Sequence, residues 1–370
     1  MFKVTIKPQW QVQAPSGEPA LLRLVELLVG IHETGSLARA CALANLSYRY
    51  AWGMLQTGEK TLGAALIEAQ RGSGTKLTPL GEKLVWADKR IAARLSPLLD
   101  SLSSEIEVEF EHAFVPSERV LRVHATHGFA VESLHRFMNR RQIAADVKYR
   151  SSMDVLASLV HDSCDLAGLH IPIGEFEAPM LRLYAPSLKH GDFVIIDLVT
   201  RRQGILVARG NPKKIRRMRD LTRRGVRFVN RQHDSATRAV LDLVLAREKI
   251  DVGAIQGYDN VEFTHAAVAA FIASNMADAG FGLETPAQRF GLDYIPILRE
   301  RYFFLCPRAI YETPALDRVL AILRSNEFRK IANALPGYDA EHCGRVLDLH
   351  DAFPALKAEP RIDARARSRK

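Results

Sequence analysis

Ser47-Tyr48-Arg49-Tyr50 sets a hydroxyl, a guanidinium and two phenols side by side. Such groups bond phosphate oxygens and base edges. If Ala51 and Leu55 face inward, Tyr48, Arg49 and Tyr50 face out, and Arg49 is the first choice for a bidentate contact to a base. Ser36, Lys60, Arg71, Ser73, Thr75 and Lys76 stand where phosphate contacts would flank such a reader. Trp52 is expected in the core. A second set is rich in hydroxyls, imidazoles and guanidinium groups: Thr126, His127, Ser151, Ser152, His170, Arg231, Gln232, Ser235, Thr237, Arg238 and Thr264, with His265 beside it. They follow short apolar runs or open helical patterns, where exposed backbone N–H groups favour a small polar or anionic ligand. Ser235 and Thr237 read equally well as helix caps.

Catalytic chemistry has no comparable signal. No GxSxG, Walker loop or dinucleotide GxGxxG occurs, and Gly280-Phe281-Gly282 matches only part of the last pattern. His124, His135, His161 and His190 show neither HxH nor HExxH spacing, so no metal site is expected. Cys41, Cys164, Cys306 and Cys343 are far apart and form no CxxC pair, which favours reduced thiols over a disulfide framework.

The elements that must position the first set are short helices. Apolar residues recur at helical spacing over 20–34 (Leu21, Leu24, Val25, Leu28, Ile31), after a strand expected over 1–12. Gly35 breaks that helix and Ser36 caps the next, over 36–44. Asn45-Leu46-Ser47 turns the chain into a third helix, 48–61. Two short helices around a tight turn make a helix-turn-helix. Strands at 65–69 and 76–78, joined through Gly72 and Gly74, form a wing. Thr78-Pro79 opens a long helix with Leu80, Leu84, Ala87, Ile91, Leu95, Leu98, Leu102 and Ile106 in one stripe, suited to a partner helix from a second copy. Pro97 is expected to bend it.

From residue 120 the pattern changes to strand, loop and helix in alternation. Strands are expected at 120–124, 146–149 and 165–169, with helices at 128–139 and 153–161. A second series has strands at 204–208, 226–229 and 277–280 and helices at 235–248 and 266–274. The chain returns through 292–297 and 302–305 to a last helix, 314–326. Two α/β lobes joined by crossing strands describe a clamp.

At 370 residues the chain is too long for one core. Its composition, 47% hydrophobic and 25% charged, is that of a globular protein. No apolar run nears the roughly 18–20 residues that span a bilayer, and the N-terminus lacks a signal-peptide core, so a cytoplasmic protein with no membrane partner is expected. A net charge of +9 favours an acidic partner. The basic charge concentrates at 201–231 and in the tail, 355–370, which is expected to be disordered; a solvated surface is the default reading of both.

Gly35-Ser36-Leu37-Ala38-Arg39-Ala40, Ser47-Tyr48-Arg49-Tyr50-Ala51-Trp52 and Lys76-Leu77-Thr78-Pro79-Leu80-Gly81-Glu82 resemble the N-terminal domain of LysR-type and especially ModE-type regulators. The segments 165–172, 206–212, 227–232 and 278–284 resemble a periplasmic-binding-protein-like domain found in some LysR-like regulators and fused to molybdopterin-biosynthesis proteins. Where relatives continue Gly-Ser-Gly-Thr-Arg, this chain has Asp234-Ser235-Ala236-Thr237-Arg238, which makes the backbone less open to an anion. ModE itself ends in molybdate-binding modules of another fold. The resemblance implies a mostly α winged helix-turn-helix (1–78), a linking and dimerising helix (79–112), and a two-lobed α/β domain of type II (118–350), with lobe 1 at 118–200 and 301–350 and lobe 2 at 201–300. It implies a homodimeric or homotetrameric regulator of double-stranded DNA rather than an enzyme. Its small-molecule effector is open among molybdate or tungstate, a pterin-linked compound, and formate. A molybdenum-cofactor enzyme and a ligand carrier are the rival readings.

Overall fold

The computed structural model describes residues 3–12, 23–70, 74–114, 120–188 and 191–356. Arg71, Ser73, His190 and the tail from 357 lie outside the described residues. The chain forms two compact units, Ile6–Ser96 and the remainder from Pro97 together with the segment up to Thr5.

In the first unit, α1 (Leu24–Thr34) buries Leu24, Leu27, Leu28 and Ile31. Full burial of each leucine contributes about 2 kcal/mol. Gly35 ends the helix at φ +66°, a left-handed cap that donates its N–H to the Ile31 carbonyl. Ser36 caps α2 (Leu37–Leu43) by accepting from Arg39 N, and Ser47 caps α3 (Tyr48–Leu62) by accepting from Tyr50 N. Close helix crossings rest on small residues. A Cβ at Gly58 would stand 2.4 Å from a Leu24 methyl, and one at Gly30 would stand 3.0 Å from Ala40 Cβ. The hairpin β1 (Ile67–Gln70) and β2 (Gly74–Leu77) follows. Residues 3–12 form no strand, contrary to the alternation of their sequence. Alternation provides no pairing partner; Trp10 Nε1 instead donates to Asp88.

The long helix α4 (Pro79–Phe114) runs on through Pro97. Its apolar stripe is not one surface. Leu80 and Leu84 pack into the first unit's own core, whereas Leu98 and Leu102 are 57% and 41% exposed, with Phe110 exposed beyond them.

The second unit opens with β3 (Leu121–Ala125), α5 (Phe129–Arg140), β4 (Ala145–Tyr149), α6 (Ser152–Val160), β5 (Leu166–Pro172) and α7 (Glu177–Leu188). Strand β4 is an edge whose backbone is covered: Val147 and Tyr149 N–H groups donate to Ser104 and Ser101 of α4. Strand β6 (Phe193–Val207) leads to β7 (Phe228–Arg231), α8 (Ala236–Arg247), β8 (Val261–Glu262), α9 (His265–Ala273), β9 (Ala279–Leu283), α10 (Glu284–Arg289) and β10 (Asp293–Pro307). The chain closes with α11 (Arg308–Tyr311), α12 (Pro314–Arg324), α13 (Asn326–Asn333), β11 (Tyr338–Asp339), β12 (Val346–Asp348) and α14 (Leu349–Ala352).

The main sheet runs β4-β3-β5-β10-β6-β9-β7-β8, with β11 and β12 on β6. Strands β3, β4 and β5 are parallel, as are β7, β8 and β9. The antiparallel pair β6 and β10 carries one parallel half at each end, β5 on Glu300–Leu305 and β9 on Gln203–Val207. The expected strands 204–208, 292–297 and 302–305 are therefore parts of two long crossing strands, and 314–326 is not the last helix. Aliphatic and aromatic residues fill both faces of the sheet in two large clusters.

Candidate functional site

Helix α3 divides cleanly into two sides. Ala51, Met54, Leu55 and Gly58 are buried. Tyr48, Tyr50 and Trp52 are 56%, 55% and 40% exposed, and Arg49, Gly53, Gln56, Thr57 and Lys60 are exposed with them. Trp52 is thus on the outer face rather than in the core, because Met54 and Leu55 already fill the inner side. Trp52 and Gln56 follow Arg49 at i+3 and i+7, a spacing that marks them as its neighbours on one face. Arg39 and Lys76 are exposed as well. The Ser36 and Ser47 hydroxyls act as caps, and Thr75 Oγ1 accepts from Leu37 N. Thr75 N also donates to the Gly35 carbonyl, so the wing is tied to the start of α2.

In the second unit the carboxyl ends of both parallel halves meet the middle of the crossing strands. Glu300, fully buried on β10, is held by three donors. Arg201 Nε and Gln203 Nε2, both from β6, donate to its two oxygens, and His170 Nδ1 of β5 lies 2.8 Å from Oε2. The Arg201 guanidinium sits 4.9 Å over the Tyr302 ring. Tyr302 OH donates to the Thr126 carbonyl at 2.6 Å. Gly128, the N-cap of α5, has no room for a side chain, since a Cβ there would be 2.9 Å from Arg201 Nη1. From the other half, Arg231 Nη2 donates to the Phe263 carbonyl, and His265 lies where a Cβ at Gly282 would be 2.9 Å from its Nδ1.

Burial alone would raise the Glu300 carboxyl, but Arg201 and His170 outweigh it and hold it down at about 2. Burial pushes the Arg231 guanidinium down to about 10, with Arg201 adding to the effect and Asp234 and Glu300 opposing it. Burial, then Arg231, Arg201, His170 and His127, keep His265 well below its ordinary value. Several buried polar atoms have no hydrogen-bond partner among the described residues: Arg201 Nη2, Gln203 Oε1, Arg231 Nε, Gln232 Oε1, Thr237 Oγ1 and His265 Nδ1. Such atoms are costly unless something bonds them.

The sequence-derived ligand residues divide accordingly. Arg231, Gln232 and Thr237 present those unpartnered atoms, Ser152 is buried beside the Tyr184 hydroxyl, and His170 orients Glu300. Thr126 bonds the Gly168 carbonyl and Tyr302. Ser151 and Thr264 cap α6 and α9. Ser235 occupies the N-cap of α8 without a side-chain bond. Arg238 is committed to Asp242 and the Tyr258 carbonyl, stacked 3.8 Å over the Tyr258 ring. His127 Nε2 lies 2.8 Å from Glu132, and Asp100 joins them within 4.8 Å, yet Arg136 and Arg289 beside Glu132 oppose a cation there. Arg201, Gln203, Glu300 and Tyr302 escaped sequence reasoning. Arg201 and Gln203, at two-residue spacing between Val199 and Ile205, were the available signal for β6. Arg201, inside the basic stretch read as solvated, is 1% exposed.

Residues 134–324 match the PBP superfamily domain, and residues 22–82 match the bacterial regulatory helix-turn-helix protein of the lysR family. The chain belongs to the PBP superfamily and carries a LysR-type helix-turn-helix ahead of that domain. It is 30% identical over 204 residues to the uncharacterized protein YvgK of Bacillus subtilis (strain 168), covering 54% of this chain and 64% of YvgK. It is 39% identical over 72 residues to the molybdenum transport protein ModE of Herbaspirillum seropedicae, covering 18% of this chain and 27% of ModE. The chain thus spans less than two thirds of either relative. Among solved structures, an H2O2-bound mutant of OxyR from Corynebacterium glutamicum aligns at a TM-score of 0.41 and 16% identity, covering 82% of this chain and 93% of that one. Among the described residues no helix is long and apolar enough to cross a membrane.

Proposed function

We propose that this protein is a transcription regulator that binds double-stranded DNA through α3 and its wing and takes a small effector in the crevice of the second unit. The observation that supports the DNA reading is the outer face of α3, with Tyr48, Arg49, Tyr50, Trp52, Gln56 and Lys60 exposed and no acid from Ser47 to Gly58. A helix of this kind fits the major groove, where Arg49 meets a guanine edge and Tyr48, Tyr50 and Trp52 meet thymine methyls or phosphates. Lys60 and Lys76 supply phosphate contacts; Arg71 and Ser73, outside the described residues, are proposed to do the same. Ser36, Ser47 and Thr75 contribute by fixing the backbone that presents those groups.

The exposed Leu98, Leu102 and Phe110 support a homo-oligomer joined through α4. The effector is proposed to bond Arg201, Arg231, Thr237 and His265. Molybdate or tungstate, a pterin-linked compound and formate are the starting candidates. The ModE match is too short to bring a ligand with it. Effector and DNA must then shift each other's affinity by the same factor. Titration of labelled duplex by fluorescence anisotropy, at zero and saturating effector, tests the coupling. Unchanged DNA affinity with every compound that binds the crevice rejects it.

A further inference from the structure

We infer that the effector is a small anion carrying a hydrogen-bond donor beside its charge, of which an α-hydroxycarboxylate is the simplest case. This rests on the reading of the crevice as the effector site, and it follows from charge, hydrogen-bond polarity and room.

Two guanidinium groups, Arg201 and Arg231, face the crevice, and the carboxylate of Glu300 offsets one of them. Asp234, exposed at the rim, offsets Arg231 in part. His265 is buried among cations and stays uncharged at neutral pH. The guanidinium N–H groups left unpartnered beside the Arg201–Glu300 pair suit an anion. Farther out, Arg202 is paired with Glu284.

Hydrogen-bond polarity narrows the class. Arg201 Nη2, Arg231 Nε and Thr237 Oγ1 can donate to an anion, and Arg201 and Thr237 are each only 1% exposed. Gln203 is the discriminating group. An ionised carboxylate can only accept, so the Gln203 amide must turn its NH₂ to Glu300. Its Oε1 is therefore an acceptor, fully buried and without a partner. A ligand made only of acceptor oxygens cannot satisfy it; a hydroxyl on the carbon next to a carboxylate can.

Room is limited by close backbone approach. Side chains at Gly128 and Gly282 would collide with Arg201 Nη1 and His265 Nδ1 at 2.9 Å. Groups this tightly gathered suit a compact ligand rather than a fused-ring pterin.

The test is calorimetric titration of the full-length protein with glycolate, L-lactate, acetate, formate, molybdate and sulfate, repeated on Thr237→Val and Arg231→Gln. Glycolate or lactate should bind at least about tenfold more tightly than acetate or formate, the discrimination expected of a buried acceptor left unpaired. Arg231→Gln should abolish binding, Thr237→Val should weaken it about tenfold, and Thr237→Ser should restore it. Acetate equal to glycolate, or molybdate or sulfate tighter than either and lost in Arg231→Gln, overturns the inference while leaving the crevice as effector site. No binding of any of the six overturns the inference. If the DNA affinities of Arg231→Gln and Thr237→Val also match the parent at every concentration, the effector site falls with it.

Discussion

Gly53 is exposed in the interior of α3, between Trp52 and Gln56, and none of the described residues beyond its own helix lies within 4 Å of where its Cβ would stand. Packing within the unit gives this glycine no purpose, and a glycine inside a helix costs roughly 0.8–1 kcal/mol relative to alanine. A backbone pressed against DNA would account for it. Gly53→Ala should therefore stabilise the free first unit by about 1 kcal/mol, roughly 4–8 °C for a unit of this size. The same methyl should weaken binding to specific duplex about tenfold, or about 1.4 kcal/mol. Trp10, Trp52 and Trp86 are the three tryptophans of the chain and all fall within Ile6–Ser96. Tryptophan fluorescence of the intact protein in urea thus reads that unit alone, and fluorescence anisotropy reads the DNA. A variant that is stabilised yet binds DNA as before refutes the close approach. A variant that is not stabilised refutes the view that Gly53 costs the free helix stability.

Further outcomes follow from other side chains. Arg49→Ala should cost roughly 1–3 kcal/mol of specific DNA affinity and relax preference at one base position, read by competition with single-base variants. Lys76→Ala should weaken all sequences alike and reduce the salt slope of binding by about one, read from titrations at several ionic strengths. Glu300→Ala leaves Arg201 charged and buried, so denaturant unfolding followed by circular dichroism should show a loss of about 3–5 kcal/mol. Because Glu300 is held down at about 2, that contribution is complete above the ordinary carboxylate range and is lost as pH falls towards 2, so parent and variant should converge there. Leu98→Glu with Leu102→Glu should shift sedimentation towards monomer while circular dichroism shows the single chain still folded, since both side chains are exposed on it.

Sequence made the helix-turn-helix legible because its signals are local. The 3.6-residue recurrence from Leu24 to Ile31, the left-handed Gly35 and the caps at Ser36 and Ser47 each act within a few residues of themselves. Trp52 was misplaced because burial of apolar residues is a one-way rule, and a large aromatic on a reading face looks the same as one in a core. The crossing strands were split because Arg201, Arg202 and Gln203 interrupt the apolar run in β6. What permits the Arg201 charge inside a sheet is Glu300, 99 residues beyond it in the chain. No window along the sequence contains both partners. The hydroxyls and imidazoles after the parallel strands could be picked out by position, but the sequence could not separate Thr237, left unpartnered, from Ser151 and Thr264, which cap helices.

Selection of duplexes from a random library by the full-length protein, with Arg49→Ala run in parallel, tests DNA reading by α3 most directly. Enrichment of a two-fold symmetric sequence is predicted, with the variant losing its preference at a guanine in each half-site. Recovery of no preferred sequence, or of the same one with equal stringency by both proteins, would contradict it.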